Sequence, residues 1–232
     1  MKIQIKRFDA VSTFEVKKNN LLQALIEIKS YKDNSLTFRC GCKSGICGSC
    51  TVRVNGIEKL ACKTEINEND LIEPVKNLPV IKDLVVDVSH ETLLIKKLNL
   101  NTENSNKEIS QNDINKIDLQ SDCILCNACY SACPVYSINE EFFGPFALTR
   151  ALRYINDKKI LNKITILEPI QRNGIWDCTL CSACTLVCPQ NIDSKADIMQ
   201  LQNISIQNSY SNPTINNLDF SDNFGGFNPN GF

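Results

Sequence analysis

The chain is short of the residues that most enzyme sites rely on. Among 232 residues there is one histidine, His90, one tryptophan, Trp176, and two methionines. His90 has no partner motif around it and reads as a surface or packed residue. No nucleophile–base constellation and no glycine-rich phosphate loop occurs, so no substrate chemistry can be assigned to this chain alone. Neither sign of charge is in excess, with 25 Lys and Arg against 26 Asp and Glu and a net charge of −1. There is no basic stripe interleaved with aromatics, so nucleic-acid binding has no support. Long apolar runs are missing too. The best candidate, residues 78–88, is broken by Lys82 and Asp83, so no direct membrane span is expected and any membrane association should come through a partner. Residues 1–6 alternate polar and apolar and lack the apolar core of a secretory leader.

What is plentiful is cysteine, with thirteen in the chain. An odd count without a leader speaks against a disulfide framework and for metal binding. Twelve of the thirteen fall into three constellations. The first is Cys42-x4-Cys47-x2-Cys50, with Cys62 beyond a hairpin, which is the plant-type [2Fe–2S] spacing. Gly41, Gly45 and Gly48 would let backbone amides turn inward toward the sulfurs of a negatively charged cluster. A structural zinc site would prefer two separated C-x2-C pairs.

The second run, Cys123-x2-Cys126-x2-Cys129-x3-Cys133-Pro134, and the third, Cys178-x2-Cys181-x2-Cys184-x3-Cys188-Pro189, form an internal repeat. Each is the bacterial ferredoxin run, in which the fourth cysteine ligates the other cubane. One [4Fe–4S] cluster is therefore expected on Cys123, Cys126, Cys129 and Cys188. The other is expected on Cys133, Cys178, Cys181 and Cys184. Cys40 is left over and reads as an unligated thiol. Trp176, beside the third run, is expected to pack over the cluster.

The fold expectation is α+β. Residues 2–7 and 12–16 alternate as strands, Leu21, Leu22, Leu25 and Ile28 recur at helical spacing behind Asn20 as N-cap, and residues 51–54 enter a turn at Asn55-Gly56. Strand, strand, helix, cysteine loop and hairpin is the order of a β-grasp, plant-type ferredoxin-like domain, placed at residues 1–98. Residues 99–117, rich in Asn, Ser, Glu and Lys, read as a linker. Residues 118–202 read as an all-helical dicluster ferredoxin domain, with Gly144-Pro145 opening one helix and Asp193 or Ser194 capping another. Residues 203–232 read as a flexible tail.

The order of the constellations resembles that of the iron–sulfur subunit of succinate dehydrogenase and fumarate reductase. So do the stretches LLQALIEIKSYKDNSLTFRCGCKSGICGSC, LPVIKDLVVDV, IDLQSDCILCNACYSACPVY and FGPFALTRALRYINDKK, the match running over residues 1–202. The resemblance implies a relay of single electrons between an FAD-containing flavoprotein subunit and a membrane-anchor subunit or quinone pool, with the substrate site on the partner. It implies a peripheral position on the inner (cytoplasmic) membrane, on its cytoplasmic side. Two departures stand out. Common members hold a [3Fe–4S] cluster last because the position matching Cys181 is not cysteine. They also carry a tryptophan and a histidine of the quinone pocket where this chain has Ser137 or Ile138, and Thr179. The extra cysteine resembles variants whose anchor is itself cysteine-rich. The other function consistent with these features is the electron-carrying subunit of a thiol-linked fumarate reductase or a heterodisulfide-reductase-like complex.

Overall fold

The computed structural model describes residues 1–8, 10–100 and 103–213. Its first half is a five-stranded mixed sheet of β1 (Lys2–Arg7), β2 (Ala10–Glu15), β3 (Thr51–Val54), β4 (Ile57–Leu60) and β5 (Leu71–Glu73), in the order β2-β1-β5-β3-β4. β1 runs antiparallel to β2 and parallel to β5. Alternation sets which side is buried: Ile3 and Ile5 of β1 point inward, and Ile72, Val52 and Val54 join them. Helix α1 (Leu21–Tyr31) lays Leu21, Leu22, Ala24, Leu25 and Ile28 on that face. Asn20 starts the helix by accepting the Gln23 N–H at 3.2 Å. Asn55 and Gly56, with φ of +51° and +85°, make the two-residue turn that joins β3 to β4. One helix across such a sheet is the β-grasp arrangement.

A small hairpin of β6 (Val80–Lys82) and β7 (Val85–Val86) leads to α2 (His90–Lys97). The helical half then contains α3 (Gln111–Asn115), α4 (Asp118–Ser121), α5 (Ala128–Ala132), α6 (Gly144–Asn156), α7 (Ile164–Leu167), α8 (Ala183–Leu186) and α9 (Ser194–Gln207). Its core is built on α6, whose Phe146, Leu148, Leu152 and Ile155 are buried with Ile198 and Leu201 of α9 and Tyr130 of α5. Asp193 caps α9 by accepting the Ala196 N–H at 3.0 Å.

Where the sequence reads as linker, residues 99–117, several of the described residues are tied down. Ser110 and Asp113 form a capping box on α3, and Asn104 bridges to Ile160. The second core also takes in Val75, Leu78, Val86, Leu94 and Leu98, so the exit from the sheet is packed with the helical half. α9 continues to Gln207, so the first residues of the expected tail are helical, while residues 214–232 of it lie outside the described residues. Among the described residues no helix is long and apolar enough to cross a membrane.

Candidate iron–sulfur sites

The first cysteine loop, between α1 and β3, wraps its own sulfurs. Cys42 Sγ accepts the amides of Ser44, Ile46 and Cys47 at 3.4, 3.3 and 3.3 Å. Cys47 Sγ accepts the Cys42 N–H at 3.4 Å and lies 3.2 Å from Ser49 Oγ. Such donors favour thiolate. The Ser44 hydroxyl and then the surrounding amides bring the Cys42 thiol down to about 5. Cys50, at the start of β3, is buried, and burial pushes it up to about 11. Cys62 sits in the turn after β4, its carbonyl held by Asn20 Nδ2 at 3.0 Å. The loop bends through left-handed φ at Lys43 (+59°), Gly45 (+85°) and Gly48 (+69°).

The second and third runs share one backbone form. In Cys123–Cys129, Leu125 and Asn127 have φ of +54° and +63°; in Cys178–Cys184, Leu180 and Ser182 have +54° and +66°. A leucine in this region costs on the order of 1–2 kcal/mol. That cost, borne at the same place twice, points to a local task. The alternation of ordinary and left-handed residues turns successive N–H groups to one side, as in anion-binding nests. Each loop then enters a short helix, α5 or α8, that presents its third cysteine.

Burial raises the thiols of Cys123, Cys126 (to about 11) and Cys129, and like charge from Cys188 adds to the shift of each. These four cysteines line one cleft, with Phe146, Thr149 and Ile192 as its wall. Burial likewise raises Cys133, Cys178 and Cys184, the last to about 12. Here the mutual charge acts among Cys133, Cys178, Cys181 and Cys184. Cys188 of the third run thus lines the same cleft as Cys123, Cys126 and Cys129 of the second, while Cys133 feels the charge of Cys181 and acts on Cys178 and Cys184; Cys129 also feels Cys184. Three thiols of each set are made costly to ionise alone by burial, a donor set that suits an iron–sulfur core. Among the described residues no three His, Cys, Asp or Glu side chains converge as ligands of a single ion. A cubane asks for something else, since its four thiolates bind four different irons.

Cys40 is exposed. His90 is packed edge-on against Tyr130 with ring centroids 5.0 Å apart, and both its nitrogens are buried without a hydrogen-bond partner. Trp176 packs against the helical core, as Cys178 and Leu180 do, and donates its indole N–H to Gln171 at 2.9 Å. Sequence reasoning missed the residues that join the two halves. Gly48 of the first loop meets the second loop so closely that a Cβ on it would stand 2.7 Å from Ile124 O and 2.9 Å from Cys126 Cβ. Glu58 of β4 accepts the Ser131 hydroxyl of α5 at 2.6 Å, and Asn77 reaches the end of the same helix. No signal in the sequence marks Glu58, Asn77 or Ser131, because each has its meaning only across the fold.

Residues 2–92 match the model of a 2Fe–2S iron–sulfur cluster binding domain, and residues 120–192 that of a 4Fe–4S dicluster domain. The chain is 37% identical to a fumarate reductase iron–sulfur subunit of Haemophilus influenzae, covering 82% of this chain and 84% of the relative. It is 35% identical to the 8-methylmenaquinol:fumarate reductase iron–sulfur subunit of Wolinella succinogenes, covering 87% and 72%. A mitochondrial succinate dehydrogenase iron–sulfur subunit of Arabidopsis thaliana is 34% identical, covering 78% of this chain and 63% of the relative. In fold it matches a chain of the Mycobacterium smegmatis Sdh1 complex in the apo form, with a TM-score of 0.82, 24% identity and coverage of 90% and 97%. The paired ferredoxin-type domains and the extent of these likenesses place the chain in the family of iron–sulfur, electron-transfer subunits of fumarate reductase and succinate dehydrogenase.

Proposed function

We propose that this chain holds one [2Fe–2S] cluster on Cys42, Cys47, Cys50 and Cys62 and two [4Fe–4S] clusters on the crossed sets. One cubane takes Cys123, Cys126, Cys129 and Cys188; the other takes Cys133, Cys178, Cys181 and Cys184. Such clusters supply one-electron acceptance and release at separate centres. The chain's own part is to bury the thiolates, aim amides at the sulfurs and hold the three loops in sequence. Gly48 brings the first loop against the second, and α5 spans the two cubane sets, with Cys129 for one and Cys133 for the other. The chain relays single electrons between an FAD-containing flavoprotein, which carries the succinate–fumarate site, and a membrane-anchor subunit. It sits at the inner membrane through that complex, on the cytoplasmic side.

The observation that carries this reading is that Cys188 of the third run lines one cleft with Cys123, Cys126 and Cys129 of the second. This chain, purified anaerobically, is expected to hold about ten iron atoms, the sum of one binuclear and two tetranuclear centres. The flavoprotein and the anchor are expected to copurify, and membranes from cells lacking the anchor to lose the chain on washing. Iron near five, or stoichiometric zinc, would sink the assignment. A second reading, the electron-carrying subunit of a thiol-linked fumarate reductase or heterodisulfide-reductase-like complex, draws on Cys181, which completes the third run. Succinate–fumarate turnover by the native complex separates the two.

A further inference from the structure

Helix α5 is one covalent link between the two cubane sets, and its C-terminal end is chemically incomplete. The helix would continue with an N–H from position 134 onto Tyr130 O, and Pro134 has none. Cys133 N–H closes a tighter turn onto that oxygen at 3.2 Å. The remaining donor comes from the other half of the chain. Asn77 Nδ2 lies 2.8 Å from Tyr130 O, 3.3 Å from Ser131 O and 3.2 Å from Cys133 O. Beside it, the Lys76 N–H donates to Ser131 Oγ at 2.8 Å, and that hydroxyl donates to the buried Glu58 carboxylate at 2.6 Å. Arg53 Nε lies 3.2 Å from Glu58 Oε1. Asn77 has a φ of +63°, a conformation that asparagine tolerates better than most residues. Its backbone turn and its amide thus serve one contact.

We infer that Asn77 is a positioning residue for electron transfer: by capping α5 from the β-grasp half, it fixes Cys133 relative to Cys129 and holds both against the [2Fe–2S] half. This rests on the cluster assignment under the preceding heading. A helix of five residues cannot hold its own geometry. The orientation of its last ligand is therefore set by what its carbonyls bond to. The positive end of the Asn77 amide also offsets the carbonyl dipoles gathered at this helix end, close to the Cys133 thiolate. Removing it makes the surroundings of that centre more negative and disfavours an added electron.

The test uses the native complex carrying Asn77→Asp or Asn77→Gly. The first keeps the side-chain shape but turns an oxygen toward three carbonyl oxygens. The second keeps the left-handed backbone and removes the amide. Iron content reports assembly. Positioning is read from the spin–spin broadening of the reduced [2Fe–2S] EPR signal, the midpoint potential of the centre ligated by Cys133, and amide hydrogen exchange over residues 128–133. At wild-type iron content, both variants should alter the broadening, lower the potential and speed the exchange. Wild-type broadening and potential in both would overturn the inference. Should Asn77→Asp not assemble, Asn77→Gly decides by the same readings. Failure of Asn77→Gly to assemble would assign the amide to folding alone and also overturn it. A wild-type complex lacking one of the three clusters would instead overturn the cluster assignment, before any variant is made.

Discussion

At the scale of single residues, the spacing of the cysteines carried most of the information. Cys123 to Cys133 and Cys178 to Cys188 can be paired as crossed sets from the repeat alone, because only a polynuclear cluster asks for that run twice. The left-handed leucines could not be read in the same way. Leu125 and Leu180 sit where a sequence gives no warning of positive φ, and only the cluster loop's need to turn its amides inward accounts for them. Gly48 shows the same limit. Its glycine reads as loop freedom, whereas the structure shows a close approach as well. A Cβ would meet Ile124 O at 2.7 Å and Cys126 Cβ at 2.9 Å, at a φ of +69°. Gly56 has a similar φ of +85° with only Arg53 Nη2 nearby, at 3.5 Å. Gly56→Ala should cost only the conformational strain, about 1–2 kcal/mol. Gly48→Ala adds overpacking and should cost about 2–4 kcal/mol. Denaturant unfolding of the two variants measures the difference. Equal losses would mean that the two cluster loops do not press on each other as described.

At the scale of elements, the helical periodicity of Phe146, Leu148, Leu152 and Ile155 and the caps at Asn20 and Asp193 were legible, since each is a local rule of spacing and hydrogen bonding. The tie between helices was not. Asp197 of α9 accepts the Thr149 hydroxyl of α6 at 2.8 Å and the Gln120 amide of α4 at 2.9 Å. Burial is the main cause that lifts this carboxyl above the usual range, with the two donors acting the other way. The sign follows from linkage. A carboxyl whose pKa is raised on folding favours the folded state when protonated. That contribution is full below the ordinary carboxylate pKa and is lost as pH rises through the raised value. Asp197→Asn removes the titration but keeps the shape. The melting temperature of the variant minus that of the wild type should therefore rise with pH across the upper carboxylate range. The exchanged donor should cost about 1 kcal/mol at low pH. A difference that stays flat from pH 4 to 7, on the order of the carboxylate range, would mean that Asp197 does not titrate on folding as described.

For the whole molecule, the three loops lie in an order: the first touches the second through Gly48, α5 joins the second to the third set, and Cys181 of the third run is exposed. The set of Cys133, Cys178, Cys181 and Cys184 stands last in that order, so we propose that electrons leave from it and that Cys181 decides its character. A cubane with a vacant corner settles as a three-iron centre, so a fourth thiolate keeps the iron in place. The same thiolate adds negative charge, disfavours uptake of an electron and lowers the potential. A low-potential exit suits redox centres in the anchor better than a quinone bound in the usual manner of the family. The residues at the positions of the family's pocket agree, being Ser137 or Ile138, with Ile138 exposed, and Thr179. Cys181→Val should leave the [2Fe–2S] centre and the cubane of Cys123, Cys126, Cys129 and Cys188 untouched, because its position lies in neither set. EPR of the air-oxidised variant should show a [3Fe–4S] signal that the wild type lacks, and redox titration should place that centre higher than the wild-type cubane. If anaerobically prepared wild type already gives the three-iron signal at one spin per chain, Cys181 is not a ligand. The exit then reverts to the family's usual quinone site, and the low-potential route falls with it.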